Sequence, residues 1–532
     1  MKIAFVSTEN SLSAIGFRKM TALARTIQPE LGVFYVMPFK AASPWNRLRA
    51  KTYQNDIDNE IDTIASHLAK SEMVCFSSMS THAEYVRNLI QAVRIKNPRA
   101  FIVWGGIHCT IDPEDAIRYA DAVCVGEGEK AFPEFLGLFK QGSDYTHVGN
   151  FYFNRNGRVI RNALLPLQTN EELGSRPYPL FGDGELLYKS GRGFVPLEPL
   201  DYVRLEGLAY NTVWSIGCPN RCIYCGNSKF LKNHKDYGQL RFPPVDYIVG
   251  EVAHARARYP HLSSVTFHDD LFMAIRTPVL EEFVEKWREK VTLPFAVHGL
   301  MSRYVDPQKM KVLISAGMFR VRMGIQSGSP RTLRFFRRPD SCETIEAAIG
   351  VINRFSKHMM TPSYDVIMDN PSETNEDIAA TANMLNHMLR PFILNVFPLM
   401  IIPGTELADV AKEKGLDLPY INQGHLSGSF ANVLILTLCL WRLPRRVLDF
   451  LLKRMAKSGA ATRVYPKTVW FLRSCLALKR ALAHLRFGNF SVMPSQVAWI
   501  LWNTGFVGFA NRRILRRCSS ILTGPSSGGA SS

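Results

Sequence analysis

From Lys2 to about Lys140, short apolar runs alternate with stretches whose apolar residues recur at helical spacing, such as Ala83 to Ile95. The runs Ile3 to Val6, Val33 to Val36, Met73 to Ser77, Phe101 to Trp104 and Ala122 to Val125 predict strands. Continuous apolar strands separated by amphipathic helices imply a parallel sheet covered on both faces. This predicts an α/β, doubly wound (Rossmann-like) domain over 1–145. In such sheets ligands meet the carboxyl ends of the strands, and small or polar residues follow each strand there. They are Ser7 after the first, Ser77 and Ser78 after the third, Gly105, Gly106 and His108 after the fourth, and Gly126, Glu127 and Gly128 after the fifth.

A connector is expected over 146–205, with a hairpin around Asn154-Arg-Asn-Gly157 and an extended, proline-rich stretch from Arg176 to Pro199. The alternation then resumes over 206–405. Strands are predicted at Thr212 to Ile216, Ser264 to His268, Phe295 to His298, Arg320 to Ile325, Tyr364 to Met368 and Asn395 to Leu399, with helices such as Val279 to Lys290 between them. Six strand–helix units predict a partial (β/α)6 barrel whose strand-end loops form the active face. Arg320 and Arg322 share one strand face with Gln326. Facing inward they would pair a carboxylate or phosphate; facing outward they are surface charges.

Beyond Pro403-Gly404-Thr405 the chain turns basic, apolar and helical over 406–520, ending in a tail from 521 to 532 of disordered composition. The formal charge is +18, and residues 441–532 hold sixteen Lys/Arg against one acid, Asp449. The uncharged stretch Phe487 to Ala510 is too diluted by Pro494, Gln496, Asn503 and glycines for a span of about 20 apolar residues. Its aromatic-plus-arginine character suits either an anionic membrane surface or a helical cap over the barrel mouth. No recognised RNA or DNA module accompanies the charge, so no nucleic-acid partner is expected.

Ten cysteines are sparse in 532 residues, and seven are scattered without rhythm. Free thiols indicate a reducing compartment, so a cytoplasmic location is expected, peripheral at the membrane's inner face if the basic region docks there. The other three, Cys218, Cys222 and Cys225, stand in one run after the strand-like stretch Asn211 to Gly217. Zinc prefers paired Cys-x2-Cys or Cys/His sets, and no second pair follows. Three thiolates can hold three irons of a four-iron cluster and leave the fourth open.

The spacing Cys218-x3-Cys222-x2-Cys225, with Tyr224 before the last cysteine, resembles the signature of the radical S-adenosylmethionine (SAM) enzymes. Phe267-His-Asp-Asp-Leu-Phe272, Met323-Gly-Ile-Gln-Ser-Gly-Ser329, Tyr364 to Thr374 and Ile402-Pro-Gly-Thr-Glu406 resemble the blocks that follow it. Val103-Trp-Gly-Gly-Ile-His-Cys-Thr110 and Val125-Gly-Glu-Gly-Glu129 resemble the cobalamin-binding domain fused to one large subgroup. The resemblance implies a 4Fe-4S cluster on the three cysteines, SAM and cobalamin. It implies that Asp269 and Asp270 meet SAM's methionine end and that Gln326 and Ser327 approach its ribose or carboxylate. The Asp-x-His-x-x-Gly motif of other cobalamin proteins is missing after the first strand, which implies cobalamin bound without a histidine on cobalt, leaving His108 to pack its loop or touch the cofactor's tail.

The implied activity is methyl transfer to an unactivated carbon, or to phosphorus, through a 5′-deoxyadenosyl radical and methylcobalamin, with an external one-electron reductant and a small-molecule or lipid-linked substrate. The alternatives are a cobalamin-containing radical enzyme that cyclises, rearranges or oxidises without methyl transfer, a methylthiotransferase, and a non-catalytic carrier. For the methylthiotransferase, Cys75, Cys109 and Cys124 would have to hold a second cluster, but Cys75 and Cys124 sit inside apolar runs and read as core thiols.

Overall fold

The first five apolar runs form β1 (Ile3–Ser7), β2 (Gly32–Tyr35), β3 (Met73–Ser77), β4 (Phe101–Gly105) and β5 (Ala122–Cys124) of a computed structural model. It describes residues 1–37, 50–421, 424–457, 465–490 and 493–522; the tail expected from 521 lies, from 523 onward, outside the described residues. Two compact units result: Met1–Glu206 with Ser228–Tyr237 and Ile402–Ala408, and Gly207–Asn227 with Gly238–Ile401 and Asp409–Ser532.

In the first unit β1 lies between β2 and β3, all parallel, with β4 and β5 beyond β3. The strand order reverses at β1/β3, a topological switch point where such sheets open a crevice. Val6, Val74, Phe76, Ile102 and Trp104 from the strands pack with Val86, Ile90 and Val93 of helix Ala83–Lys96. Each large apolar side chain buried this way contributes about 1.5–3 kcal/mol, enough to fix which face of each element turns inward.

The stretch expected as a connector is built into this sheet. Two hairpins, β6 (Phe151–Arg155) with β7 (Arg158–Arg161) and β8 (Leu186–Lys189) with β9 (Gly193–Pro196), extend opposite edges to nine strands. β6 pairs antiparallel with β5, and β8 pairs parallel with β2. Both hairpins cover edges that would otherwise expose unpaired backbone groups.

In the second unit β10 (Ala209–Thr212), β11 (Ser264–Phe267), β12 (Phe295–Leu300), β13 (Met318–Gln326), β14 (Ser363–Met368) and β15 (Ile393–Pro398) pair in sequence, all parallel. β10 and β15 remain unpaired edges of this six-stranded sheet, so the barrel is partial. Helix Phe430–Leu440 is a buried core helix. Helix Pro466–Phe487 packs against it and against β15.

The final helix, Phe506–Ser519, packs at the amino ends of the barrel strands, the end opposite the mouth that one of the two readings had the C-terminal region cap. Asn511 donates to the carbonyl of Ser263, one residue before β11, at 2.7 Å, and Leu515 lies against Gly317, one residue before β13. Trp499 and Trp502 of helix Ser495–Asn503 pack edge-on to His261. No helix among the described residues is long and apolar enough to cross a membrane.

Candidate functional site

The strand expected to run to Ile216 stops at Thr212, because a carboxylate more than fifty residues downstream claims the backbone. Asp269, just past β11, accepts the Trp214 N–H at 3.0 Å, the Ser215 N–H at 2.7 Å and the Ser215 hydroxyl at 2.6 Å. Asp270 accepts the Gly217 N–H at 3.1 Å and the Asn227 side-chain amide at 2.8 Å. The two carboxylates therefore grip the chain just before Cys218 and just after Cys225. Burial pushes the Asp269 carboxyl up to about 7 against the pull of Ser215 and Trp214. Expected at SAM's methionine end, Asp269 and Asp270 act as fasteners of the cysteine loop. Gly299, at φ 75°, permits this packing, since a Cβ there would collide with the Asp269 carbonyl oxygen.

Within the loop Cys218 and Cys222 are buried and Cys225 is half-buried. The Asn220 side-chain amide donates to Cys218 Sγ at 3.3 Å, and the Cys225 N–H donates to the Cys222 carbonyl at 3.1 Å. Burial raises the Cys218 and Cys225 thiols, the latter to about 12, and each is raised further by the charge of Cys222. Among the described residues no three His, Cys, Asp or Glu side chains close round a single metal ion. A zinc at about 2.3 Å from each sulfur requires such closure, whereas a four-iron cluster takes each thiolate on a separate iron. Three thiols on one loop, with donors from Asn220 and Arg338 aimed at Cys218 and Cys222, fit the cluster.

Arg338 is a participant the sequence reading missed. Its buried guanidinium hydrogen-bonds Cys222, donates to the Gly324 carbonyl at 2.8 Å and pairs with Asp340 at 2.9 Å. The one sequence signal was the Arg337-Arg338 pair following the fourth-strand block. Tyr224 turns its ring edge-on to Phe336 at 5.1 Å, so it packs the loop from behind. Gln326 ends β13 in the left-handed region, φ 70°, with its side chain folded over Gly324. A non-glycine residue held there stores strain of the kind that gathers at functional positions. Ser327, expected near SAM, is fully buried and bonded to Thr381 Oγ1 at 3.1 Å and to the Ser329 N–H at 3.1 Å, so it anchors helix Asn375–His387.

At the carboxyl edge of the first sheet, Ser7 is buried and accepts the Glu9 N–H at 3.4 Å. Ser78 is buried and accepts the Trp104 indole N–H at 3.0 Å. Gly106, at φ 93°, lies so close to Ser77 and Ser78 that a Cβ would overlap them. His108 starts a short helix, Ile107–Ile111, instead of standing in a loop. Its Nε2 meets Asp115 at 3.0 Å, its Nδ1 meets Ser80 at 3.3 Å, and its ring lies 5.1 Å from Trp104. The His108 hydrogen bond, and then the charge of Arg87, hold the Asp115 carboxyl below its usual range. The Gly126 N–H donates to Thr110 Oγ1 at 3.0 Å, Glu127 accepts the Gln168 N–H at 2.8 Å, and Gly128 packs against Cys124 and Met20.

Small and apolar residues at this edge reach solvent, namely Ser77 in part, Met79, Gly105 in part, Gly106, Ile107 and Gly126, beside the exposed Asn10 and the partly exposed Glu9 and Glu127. His82 is bonded to Asn10 at 2.9 Å and lies 3.4 Å from Glu9, and His108 is bonded at both nitrogens. An edge without an available imidazole fits a cobalamin held by its flat face and side groups and not through a histidine on cobalt. Cys75, Cys109 and Cys124 are buried, and burial raises all three thiols. Cys109 packs within the apolar cluster of Val74, Phe76, Ile102 and Trp104, and Cys75 and Cys124 lie on strands of the same sheet, as the core reading expects.

Comparison with known proteins matches residues 18–136 to the B12 binding domain and residues 212–385 to the Radical SAM superfamily. An uncharacterized methyltransferase of Pyrococcus horikoshii is 24% identical over 290 residues, 54% of this chain and 57% of its own length. The chain thus spans a little over half of that relative. Among solved structures, the fold is shared with TsrM from Kitasatospora setae, a radical S-adenosylmethionine methyltransferase, at a TM-score of 0.59 and 15% identity over 78% of this chain and 77% of that one. It is shared also with OxsB, a cobalamin-dependent S-adenosylmethionine radical enzyme, at a TM-score of 0.59 and 14% identity over 98% of this chain and 79% of that one. The chain thus joins a B12 binding domain to a radical SAM domain, in that order, and its cofactors are a 4Fe-4S cluster, SAM and cobalamin.

Proposed function

We propose that the protein is a methyltransferase acting on an unactivated carbon of a small-molecule or lipid-linked substrate. The observation that carries the reading is the three-thiol loop, gripped by Asp269 and Asp270 at the carboxyl edge of a six-stranded parallel sheet whose interior is polar and reached by solvent. In this reading Cys218, Cys222 and Cys225 hold the cluster, Asn220 and Arg338 aim donors at its sulfurs, and Gln326 stands at the strand end where SAM lies. The first sheet's edge binds cobalamin through Ser77, Gly105, Gly106 and Gly126. When bound, the cluster with SAM supplies a carbon-centred radical and the cobalamin supplies a methyl group. The chain's own contribution is to position these groups. Methyl transfer, in preference to another radical outcome, is supported by the methyltransferase names of the Pyrococcus relative and of TsrM.

The test is anaerobic reconstitution with iron, sulfide and hydroxocobalamin, addition of SAM and an external one-electron reductant, and chromatography of the products. Both 5′-deoxyadenosine and S-adenosylhomocysteine are expected from the full chain. Cys218→Ala is expected to abolish 5′-deoxyadenosine while leaving the fold intact, and retained cleavage would sink the cluster assignment. 5′-Deoxyadenosine without S-adenosylhomocysteine identifies a non-methylating radical enzyme.

A lipid-linked substrate is supported by an apolar stripe on helix Pro466–Phe487. Phe471, Leu478, Leu482 and Leu485 are exposed there along one face, beside Trp470 at 71% exposure. Exposed apolar stripes flanked by Arg and Lys fit an anionic membrane surface. Replacing Trp470, Phe471 and Leu478 by Ser is expected to abolish flotation with phosphatidylserine vesicles. Flotation unchanged by the substitution removes the membrane reading.

A further inference from the structure

Alternate residues of β13, namely Arg320, Arg322, Gly324 and Gln326, face the barrel interior, while Val321, Met323 and Ile325 are buried on the other side. The inward reading of the two arginines is the one the fold adopts. Arg322 pairs with Asp365 of β14, its Nε lying 2.9 Å from both carboxylate oxygens. Asp365 also accepts the Asn395 side-chain amide of β15 at 2.7 Å. A third guanidinium comes from the C-terminal region: Arg480 of helix Pro466–Phe487 donates to Asn395 Oδ1. Arg320 makes no hydrogen bond or ion pair among the described residues, and its Nε is buried.

Three cations thus face one carboxylate, which Arg322 already holds. Burial, and then the charges of Arg480 and Arg322, push the Arg320 guanidinium down to about 10. The neutral donors around them are also unsatisfied. His298 has both ring nitrogens buried without a partner, and so has Nε2 of His484. Burial holds His268 down to about 4 and His298 to about 2, with the lumen arginines adding to it, so both rings are neutral. Solvent reaches His268 although protein surrounds it, as it reaches Arg322 and Phe397, whose ring lies 5.6 Å from the Arg322 guanidinium. Solvent therefore enters the interior where these side chains stand.

A folded chain tolerates uncompensated interior cations only at a cost, and guanidinium forks match oxyanions in shape as well as charge. We propose that the lumen binds an oxyanion of the substrate, a carboxylate or a phosphate ester, and that Arg320, Arg322 and Arg480 determine specificity for it. This rests on the enzymatic reading above and adds the substrate's charge class to it. Helix Pro466–Phe487 is then part of the substrate site, supplying Arg480 and, through His484, a neutral ring beside Arg320.

The test is thermal unfolding of the full-length, cofactor-loaded protein in inorganic phosphate, in malonate and in chloride at equal ionic strength, a readout that needs no SAM cleavage and therefore fails or succeeds independently of the methyltransferase reading. Phosphate or malonate is expected to raise the midpoint progressively with concentration, and the larger shift identifies a phosphate ester or a carboxylate. R320Q and R480Q are each expected to remove at least two thirds of that shift, while without the anion the R320Q midpoint stays at or above wild type because like-charge repulsion is relieved. R512Q/R513Q, on exposed residues, is expected to keep the full shift. No shift beyond chloride, a shift that survives both R320Q and R480Q, or one lost in R512Q/R513Q overturns the proposal.

Discussion

At the carboxyl edge of the first sheet the imidazoles of His82 and His108 are tied to acids, hydroxyls or amides. In the interior of the second, His298 has no partner at either nitrogen among the described residues, and of three guanidiniums only that of Arg322 pairs with the one carboxylate, Asp365. The first arrangement holds its imidazoles in internal bonds and offers a ligand glycines, small side chains and the exposed Met79 and Ile107. The second offers a ligand unsatisfied charge and donors. A large flat cofactor with many contacts of its own needs only the former, whereas a small substrate that must be placed against a radical needs fixed polar anchors. A mixed sheet and an all-parallel one thus differ in what their carboxyl ends present to a ligand.

The largest effect on this contrast is expected at Asp269. Asp269→Ala leaves two buried N–H groups and a hydroxyl without an acceptor, at about 1–3 kcal/mol each. Reconstituted iron and sulfide per chain should fall below a tenth of wild type, with Asp269→Asn in between. Full iron content in Asp269→Ala would show that the thiols shape their own loop.

A smaller effect is expected from acid. His261 and His484 are buried neutral in the second unit, held down to about 4 and about 3, in each case by burial first. Their folded pKa lies below the unfolded value near 6.5, so the unfolded chain binds more protons as pH falls. Stability is fully present above about pH 6.5 and is lost as pH drops toward 4, at no more than about 1.4 kcal/mol per pH unit for each ring. Urea titrations from pH 7 to 4 should show the slope, and His261→Leu should flatten it; an unchanged slope refutes the assignment.

The smallest effect belongs to His108. Removing its bonds to Asp115 and Ser80 with His108→Ala should cost roughly 1–3 kcal/mol of stability and leave cobalamin affinity within about threefold by absorbance titration. A loss of cobalamin binding without a loss of stability would reverse the contrast and make His108 a ligand.

The strands of the first sheet were readable because a parallel strand buried on both faces is a continuous apolar run, and β13 of the second because Val321, Met323 and Ile325 alternate with its inward polar residues. The run from Thr212 to Ile216 misled, since Val213, Trp214 and Ile216 carry strand character while Asp269, remote in sequence, takes the N–H groups that a ladder would need. The hairpins at 151–161 and 186–196 join the first sheet for a similarly non-local reason, the need of β5 and β2 for edge partners. Cysteine spacing marked the loop directly. Arg338 was marked only by the Arg337-Arg338 pair after the fourth-strand block, and Arg480 carried no local signal, because its partner Asn395 lies on a strand far from it along the chain.

The grip of Asp269 and Asp270 on the cysteine loop has one more consequence. Its hydrogen bonds run between protein atoms alone and need no iron to form. The loop is therefore a socket, shaped by folding and filled afterwards. Exposure to oxygen that strips the iron leaves that socket standing, so the protein should be rechargeable with iron and sulfide without being unfolded and made anew.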